Sequence, residues 1–220
     1  MLRLIFEKAG RARYISHLDL MRTFQRAFFR TQLPIWHTEG FNTHAFVSIA
    51  LPLSVGFESS CEILEFRLNE ACDLNALPAL LNAALPEGIV ALRCYEGEQA
   101  IKKLTYVNYQ VTLGYQNSVP ETASPDLAAL LSQESLVMRK KSKKAKIGFT
   151  EVDLIPLMSE LQFEVQPQAL VVTGLFRAQN PGLNPDLMVS ALRQHLPHLA
   201  PDTTHFRRLA VFNEEKQPFV

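Results

Sequence analysis

Three arginines recur every four residues in the first helix that this sequence predicts, at positions 22, 26 and 30. Because an α-helix has about 3.6 residues per turn, side chains four apart lie on one face. Another face of the same segment is apolar, through Leu20, Met21, Phe24 and Phe28. The spacing predicts a helix over residues 17–31 with one packed face and one cationic face. The cationic face could bind an anion, although a solvated face is the commoner fate of such a stripe.

A polar loop follows this helix, over residues 36–46, and combines aromatic and titratable side chains. Its members of interest are Trp36, His37, Glu39, Phe41, Asn42 and His44. Trp36 and Phe41, with Tyr14 before the helix, could stack on nucleobases or belong to the core. The spacing of the two histidines matches no common metal site and no cysteine joins them. We therefore predict that the polar side chains hold the loop or bind a ligand, with neither metal nor cofactor.

His17 lies at the predicted start of the helix. Ser16 can cap the free N–H groups there, and Asp19 occupies a first-turn position that favours an anion. A helix N-terminus attracts phosphate, and Arg11, Arg13 and Arg22 could surround it. We consider His17 either a phosphate contact, an acid or a base, or a histidine of the capping region with no further role.

The net charge is zero, but the charges are segregated along the chain. Residues 1–30 hold seven basic and two acidic residues, residues 58–98 hold eight acidic and two basic ones, and residues 139–146 (RKKSKKAK) add six basic ones. Such a protein can present a basic face to a polyanion. We predict that the arginine face of the first helix, the loop 36–46 and the block 139–146 form one basic surface that binds RNA. The predicted RNA-binding residues are Arg11, Arg13, His17, Arg22, Arg26, Arg30, Trp36, Asn42, His44, Arg139, Lys140, Lys141, Lys143 and Lys144.

Composition and motifs exclude several classes of protein. Hydrophobic residues make up 47% and charged residues 20% of 220 residues, which is ordinary for a globular protein. The N-terminus does not resemble a signal peptide and no apolar run could span a bilayer, so we predict a cytoplasmic protein without a membrane partner. Three cysteines without CxxC spacing suggest neither a disulfide framework nor a zinc ribbon. Motifs for nucleotide hydrolysis, dinucleotide binding and esterase chemistry are absent.

The first half of the chain predicts six elements. They are a strand over 2–9, the helix over 17–31, strands over 46–53 and 62–68, a helix over 73–85 and a strand over 89–95. This βαββαβ order predicts an antiparallel sheet with two helices on one face, the ferredoxin-like arrangement, over residues 1–98.

The pattern starts again over residues 104–220. It predicts strands over 106–115, 136–144 and 206–212, helices over 124–131 and 187–195, a short helix around 153–161, and a strand or hairpin over 163–177. The predicted fold class is therefore α+β with two tandem ferredoxin-like (βαββαβ) units. The second unit is irregular and carries the basic insertion 139–146.

Two segments resemble an uncharacterised bacterial family of radical-SAM-associated proteins, a domain of unknown function. They are YISHLDL (14–20) and GFNTHAFVSIALPLSVGFES (40–59). In that family the second segment usually reads like GFNPHPxxSFALPLPVGxES, so Thr43 and Ala45 replace prolines here. A third segment, GFTEVDLIPLM (148–158), resembles the family's EVDLRP with Ile155 in place of the arginine. The family occurs alone or as the C-terminal part of a radical-SAM protein with a cobalamin-binding-type domain.

The resemblance implies a radical-SAM enzyme as a partner in trans or as a fused domain. The CxxxCxxC triad that holds the iron–sulfur cluster of such an enzyme is absent from this sequence, so another chain would carry the chemistry. Together with the charge segregation, this suggests a non-catalytic RNA-binding or substrate-presenting partner of a radical-SAM enzyme, acting in RNA or translation-related modification.

Two alternatives stay open at the level of sequence. The first is a metal-independent endoribonuclease of the type that processes CRISPR repeats, by analogy of fold. His17 or His44 would be its general base, and Arg13 or a lysine of the basic block would support the transition state. The glycine-rich loop near the C-terminus that marks those nucleases is missing. The second alternative is a protein-interaction module that uses the acidic segment 58–98.

Overall fold

The computed structural model describes residues 1–141 and 148–219 as two compact units. Unit 1 contains residues 1–103, 207–210 and 219, and unit 2 contains residues 104–206 and 211–218. The sequence assigned all of 104–220 to the second unit. Residues 207–210 group with unit 1 because Arg207 and Arg208 pair in parallel register with Glu58 and Ser59. The protein is α+β with mostly antiparallel strands.

Unit 1 follows the predicted order of elements. These are β1 (Leu2–Lys8), α1 (His17–Arg30), β2 (Val47–Ile49), β3 (Glu58–Phe66), α2 (Leu77–Asn82) and β4 (Ile89–Glu96). The strands lie in the order β4–β1–β3–β2, and every neighbouring pair is antiparallel. Strand β2 is shorter than predicted, and β3 begins four residues before the predicted Glu62.

The core of unit 1 forms between the apolar face of α1 and the sheet. The Phe24 ring packs edge-on against Phe6 of β1 with 4.7 Å between centroids, and Phe28 lies 5.1 Å from Phe66 of β3. All four phenylalanines are fully buried. The predicted packing face of the first helix is therefore confirmed at these positions. Large buried aromatic side chains stabilise such a layer through the apolar area they remove from water.

Unit 2 contains two helices and the remaining strands. Its elements are β5 (Tyr106–Gly114), α3 (Ala123–Leu131), β6 (Val137–Lys141), β7 (Phe149–Asp153), β8 (Met158–Gln166), β9 (Ala169–Arg177), α4 (Asp186–His195) and β10 (Thr203–Phe212). The strand order is β10–β5–β9–β8, and β6 pairs with β7 in a separate two-stranded sheet. The middle residues of β10, 207–210, belong to unit 1.

The short helix predicted around residues 153–161 is wrong. A single 3-10 turn, Ile155–Leu157, occupies that region and β8 begins at Met158. Asp153, at the predicted start of this helix, accepts hydrogen bonds from the backbone N–H groups of Leu136 (2.9 Å) and Ile155 (3.2 Å). These hydrogen bonds lower the pKa of the Asp153 carboxyl, and the bond from Leu136 has the largest effect. The aspartate closes a turn against a distant residue, so no helix starts there.

None of the helices in residues 1–141 and 148–219 combines the length and apolarity needed to cross a lipid bilayer.

Candidate functional site

The start of α1 is capped as the sequence predicted. Ser16 accepts a hydrogen bond from the backbone N–H of Asp19 at 3.2 Å, and its hydroxyl donates to the Asp19 carboxylate at 2.7 Å. The bond from Ser16, followed by the contact with Arg22, lowers the pKa of Asp19. The cap satisfies an N–H group that a helix end leaves free, and it fixes where α1 begins.

The turn that precedes α1 is held by buried and half-buried charged side chains. The ammonium group of Lys8, which is 1% exposed, donates to the carbonyl oxygens of Arg13 (3.3 Å) and Ile15 (3.1 Å). Burial lowers the pKa of Lys8. The Glu58 carboxylate accepts from the N–H of Gly10 at 3.0 Å and lies 3.7 Å from Arg13. These contacts set the position of the helix start relative to the sheet.

A cleft of about 740 Å³ lies along the exposed face of α1. The helix contributes Arg22, Gln25, Arg26, Phe29 and Arg30 to its wall. All three arginines are exposed, and the Phe29 side chain is 83% exposed. The predicted cationic ridge therefore lines a cavity rather than a flat surface.

The opposite wall of the cleft comes from residues 32–45, which fold back on themselves. His37 and Ala45 form an antiparallel bridge, and the N–H of Thr38 donates to the carbonyl of His44 at 2.9 Å. The lining residues from this side are Gln32, Leu33, Ile35, His37, His44 and Ala45. The amide nitrogen of Gln25 donates to the Ala45 carbonyl at 3.1 Å, which ties the helix to this hairpin-like segment.

Both histidines of the cleft use the same ring nitrogen for a contact within their own segment. Nδ1 of His37 lies 3.0 Å from the Ile35 carbonyl oxygen, and Nδ1 of His44 lies 2.9 Å from that of Asn42. Because a carbonyl oxygen only accepts, Nδ1 carries the proton in each contact. In the neutral ring of each histidine, Nε2 is then a hydrogen-bond acceptor. Neither Nε2 atom has a hydrogen-bond partner within the described residues.

The three arginines of the cleft differ in their partners. Arg22 lies 3.3 Å from the Asp19 carboxylate, in an exposed pair. Within the described residues Arg26 and Arg30 have neither a hydrogen bond nor an ion pair. Among the described residues, none that lines the cleft is acidic. The site is thus electropositive and suited to an anionic ligand.

The predicted RNA-binding residues divide into two groups in unit 1. Arg22, Arg26, Arg30 and His44 line the cleft, whereas Arg11, Arg13, His17, Trp36 and Asn42 do not. The Trp36 ring packs edge-on against Phe46 at 5.8 Å, with the Arg67 guanidinium 5.3 Å from its centroid. Arg13 contacts Glu58 and donates to the Tyr14 hydroxyl at 2.8 Å.

Sequence reasoning missed Phe29, Gln25 and Gln32 as lining residues. Phe29 was overlooked because it lies outside the apolar stripe of α1. A large aromatic residue next to an arginine of the ridge was the sequence signal that could have identified it as a lining residue. His37, which the loop composition singled out, lines the cleft as well.

The described part of the basic block, residues 139–141, belongs to unit 2. Arg139 and Lys140 are exposed on β6, and Arg139 lies 3.7 Å from Glu151 of β7. Lys143 and Lys144 fall in residues 142–147, outside the described residues. The prediction that this block shares one surface with the first helix stays a prediction.

The acidic segment 58–98 is partly neutralised inside unit 1. Glu62 and Glu65 pair with Arg208 at 2.7 Å and with Arg3 at 3.0 Å, and both arginines are nearly fully buried. With the Glu58 contact to Arg13, three of the eight acidic residues of this segment are paired with arginine. The acidic surface is therefore smaller than the sequence suggested.

No group of three or more histidine, cysteine, aspartate or glutamate side chains is arranged to hold a metal ion in residues 1–141 and 148–219.

Comparison of the sequence with models of known protein families identifies the family to which this chain belongs. Residues 1–185 match the family described as "Uncharacterized protein conserved in bacteria (DUF2344)", and since this is most of the chain, the protein belongs to that family. No curated protein matches the chain.

Two solved structures show similarity at low sequence identity. The first is a chain from the crystal structure of a Cbf5-Nop10-Gar1 complex, with a TM-score of 0.53 and 8% identity over 97% of this chain. The present chain spans 50% of that chain's length. The second is the crystal structure of an unknown protein from Galdieria sulphuraria, with a TM-score of 0.29 and 12% identity, covering 94% of this chain and 96% of that one. At such identity the first similarity concerns the fold alone.

Proposed function

We propose that this member of the DUF2344 family is a non-catalytic RNA-binding protein that holds RNA in the cleft along α1. The observation that carries the proposal is the set of side chains that meet there: three exposed arginines, an exposed phenylalanine and two histidines, with no acidic side chain among the described residues of the wall. Cations hold the phosphate backbone of RNA and aromatic faces stack on its bases.

We further propose that the bound RNA is presented to a radical-SAM enzyme supplied by another chain. The support is the resemblance of segments 14–20 and 40–59 to a radical-SAM-associated family. In unit 1, the first segment forms the capped start of α1, and the second supplies His44 and Ala45 to the cleft and Glu58 to the turn before α1. The segments that carry the resemblance thus build or position the candidate site.

The tandem ferredoxin-like fold is also proposed. The strand orders β4–β1–β3–β2 in unit 1 and β10–β5–β9–β8 in unit 2 support it. In each unit one helix lies between the first and second of these strands in the chain, and one between the third and fourth. The hairpin β6–β7 would then be the insertion in the second unit.

The proposal is tested by filter binding of total cellular RNA to the purified protein at low and moderate salt. The wild-type protein should bind, and its affinity should fall steeply with salt because phosphate contacts release counterions. The variant Arg22/Arg26/Arg30→Glu should lose binding.

A matched control is the variant Arg93/Lys102/Arg193→Glu, which makes the same change in net charge at exposed positions outside the cleft. Retained binding by this control assigns the effect to the cleft. Binding that is absent in the wild type, insensitive to salt, or equally lost in both variants contradicts the proposal.

An endoribonuclease is the second candidate, and one observation favours it. Nε2 of His44 is an acceptor in the wall of a basic cleft, which is what a general base for a 2′-hydroxyl requires. The other predicted members, His17 and Arg13, do not line this cleft.

Incubation of RNA with the wild-type protein, His44→Ala and His17→Ala, followed by a denaturing gel, tests this candidate. Cleavage that requires His44 supports a nuclease and overturns the non-catalytic proposal. Intact RNA with all three proteins removes the nuclease, and cleavage that survives both substitutions removes this mechanism.

A further inference from the structure

Building on the proposed RNA-binding function, we propose that the cleft takes an unpaired nucleobase of single-stranded RNA. The base stacks on Phe29, and the phosphates that flank it are held by Arg26 and Arg30. Phe29 is therefore the residue that selects single-stranded over double-stranded RNA.

The position of Phe29, more than its exposure, supports this role. Single exposed apolar side chains are common on protein surfaces and need no ligand to explain them. Phe29 differs because it lies in the wall of a cleft, 83% exposed, directly before Arg30 and three residues after Arg26. An aromatic face between two cations matches a ligand that is both aromatic and anionic, as a nucleotide is.

The rest of the cleft surface is suited to a base as well. Leu33, Ile35 and Ala45 give it an apolar part, where a ring could be removed from water. Its volume of about 740 Å³ lies within the range of about 300–1,000 Å³ that small-molecule sites occupy. A site for a lone phosphate would need neither this volume nor an apolar wall.

Polar atoms at the cleft wall can contact the edge of a base. The Gln25 amide nitrogen is committed to the Ala45 carbonyl, so its carbonyl oxygen is the end left to accept. Nε2 of His37 and Nε2 of His44 are acceptors for the reasons given above. The amino and imino groups of an unpaired base can donate to such acceptors, whereas in a duplex they are engaged in pairing and the base is stacked on its neighbours.

The test is fluorescence anisotropy with the full chain and three labelled probes of about ten nucleotides: a single-stranded RNA, an abasic strand with the same number of phosphates, and a duplex. The wild-type protein should bind the single strand about tenfold more tightly than the abasic strand, as expected for one stacked base. It should bind the duplex no better than the abasic strand.

Substitutions assign the effect to a residue. Phe29→Ala should bind the single strand and the abasic strand equally, and Phe29→Trp should keep the preference. Phe149→Ala is the matched control, because Phe149 is an exposed phenylalanine outside the cleft; it should behave as wild type. Circular dichroism checks folding, and little destabilisation is expected because the Phe29 side chain packs little surface.

Two outcomes overturn the nucleobase proposal while the RNA-binding function stands. One is equal binding of the single strand and the abasic strand by the wild type, with binding still lost in Arg22/Arg26/Arg30→Glu. The other is a preference for the single strand that survives Phe29→Ala. Absence of binding to all three probes overturns both proposals.

Discussion

Arginines occupy two contrasting environments in unit 1. Arg3 and Arg208 are 2% and 3% exposed and pair with glutamates on β3. Arg26 and Arg30 are exposed along the cleft, and within the described residues they have no ion pair. The buried arginines are committed to holding the sheet together, whereas the exposed ones keep their charge available for a ligand. The same residue type therefore serves stability or binding according to its burial and its partner.

The buried pair should show the largest effect on stability. Replacing Arg208 by alanine leaves the Glu62 carboxylate buried without its 2.7 Å partner, and one of its oxygens, Oε2, already lacks a hydrogen bond within the described residues. We expect the free energy of unfolding to fall by about 3–5 kcal/mol, measured by urea denaturation. The double variant Arg208→Met/Glu62→Leu should regain only part of that loss. It removes the buried pair as a whole, but the buried ammonium group of Lys8 then loses the favourable charge of Glu62.

Arg26→Ala is the matched control on the exposed side of the comparison, and should change the free energy of unfolding by no more than about 0.5 kcal/mol. A similar loss for Arg26→Ala and Arg208→Ala would break the distinction between structural and binding arginines.

The exposed arginines should show their effect in RNA binding. Arg26→Ala and Arg30→Ala should each reduce the slope of log affinity against log salt concentration by about 0.7, the value for one phosphate contact on a single strand. Arg22→Ala should reduce it less, because Arg22 already contacts Asp19. A titration of anisotropy at several salt concentrations measures the slopes, and equal slopes for all variants and wild type would exclude these contacts.

The cap of α1 connects the two environments, because it sets where the arginine ridge begins. Ser16→Ala should lower the free energy of unfolding by about 1 kcal/mol. The pKa of Asp19 is lowered in the folded protein, chiefly by the hydrogen bond from Ser16. Its carboxylate therefore stabilises the fold at a pH above the ordinary pKa of 3.8, and this contribution is lost as the pH falls through the pKa of the folded protein. Urea denaturation of the wild type and of Ser16→Ala, at neutral and at acidic pH, measures this. The difference between their free energies of unfolding should be smaller at acidic pH. A constant difference would contradict this role of the carboxylate.

The smallest effect is expected for an exposed pair in unit 2. Arg139 and Glu151 are 3.7 Å apart with side chains 79% and 67% exposed. Glu151→Ala should change the free energy of unfolding by less than about 0.5 kcal/mol, since solvent and salt screen such a pair. Thermal melts of wild type and variant, at low and high salt, measure this change in stability. A loss of stability comparable to that of Arg208→Ala would show that burial does not separate structural from exposed ion pairs.

Local sequence signals predicted α1 closely. The cap at Ser16, the apolar stripe and the arginine spacing all lie within one helix, and the structure confirms the cap and the buried positions Phe24 and Phe28. By contrast, Asp153 was predicted to lie at the start of a short helix, and that prediction is wrong. Its carboxylate accepts from the N–H of Leu136, seventeen residues away, and no local pattern contains that contact.

The sequence predicted the basic residues of the candidate site, but it did not predict the cleft that they line. The bridge between His37 and Ala45 decides which side chains of the loop line the cleft, so His37 and His44 line it whereas Trp36 packs on Phe46 and Arg67. Phe29 was missed because its importance depends on the segment opposite it.

The sequence by itself determined the elements of unit 1, the start and packed face of α1, and the concentration of basic residues near it, because these follow from hydrophobic spacing and from capping within a few residues. Only the tertiary structure decided which arginines are buried and paired and which are available. That choice depends on contacts between residues far apart in the chain. Arg208 pairs with Glu62 and Arg3 with Glu65, whereas the segment 32–45 faces the exposed side of α1 and the part of the cleft wall that the structure describes holds no acidic residue.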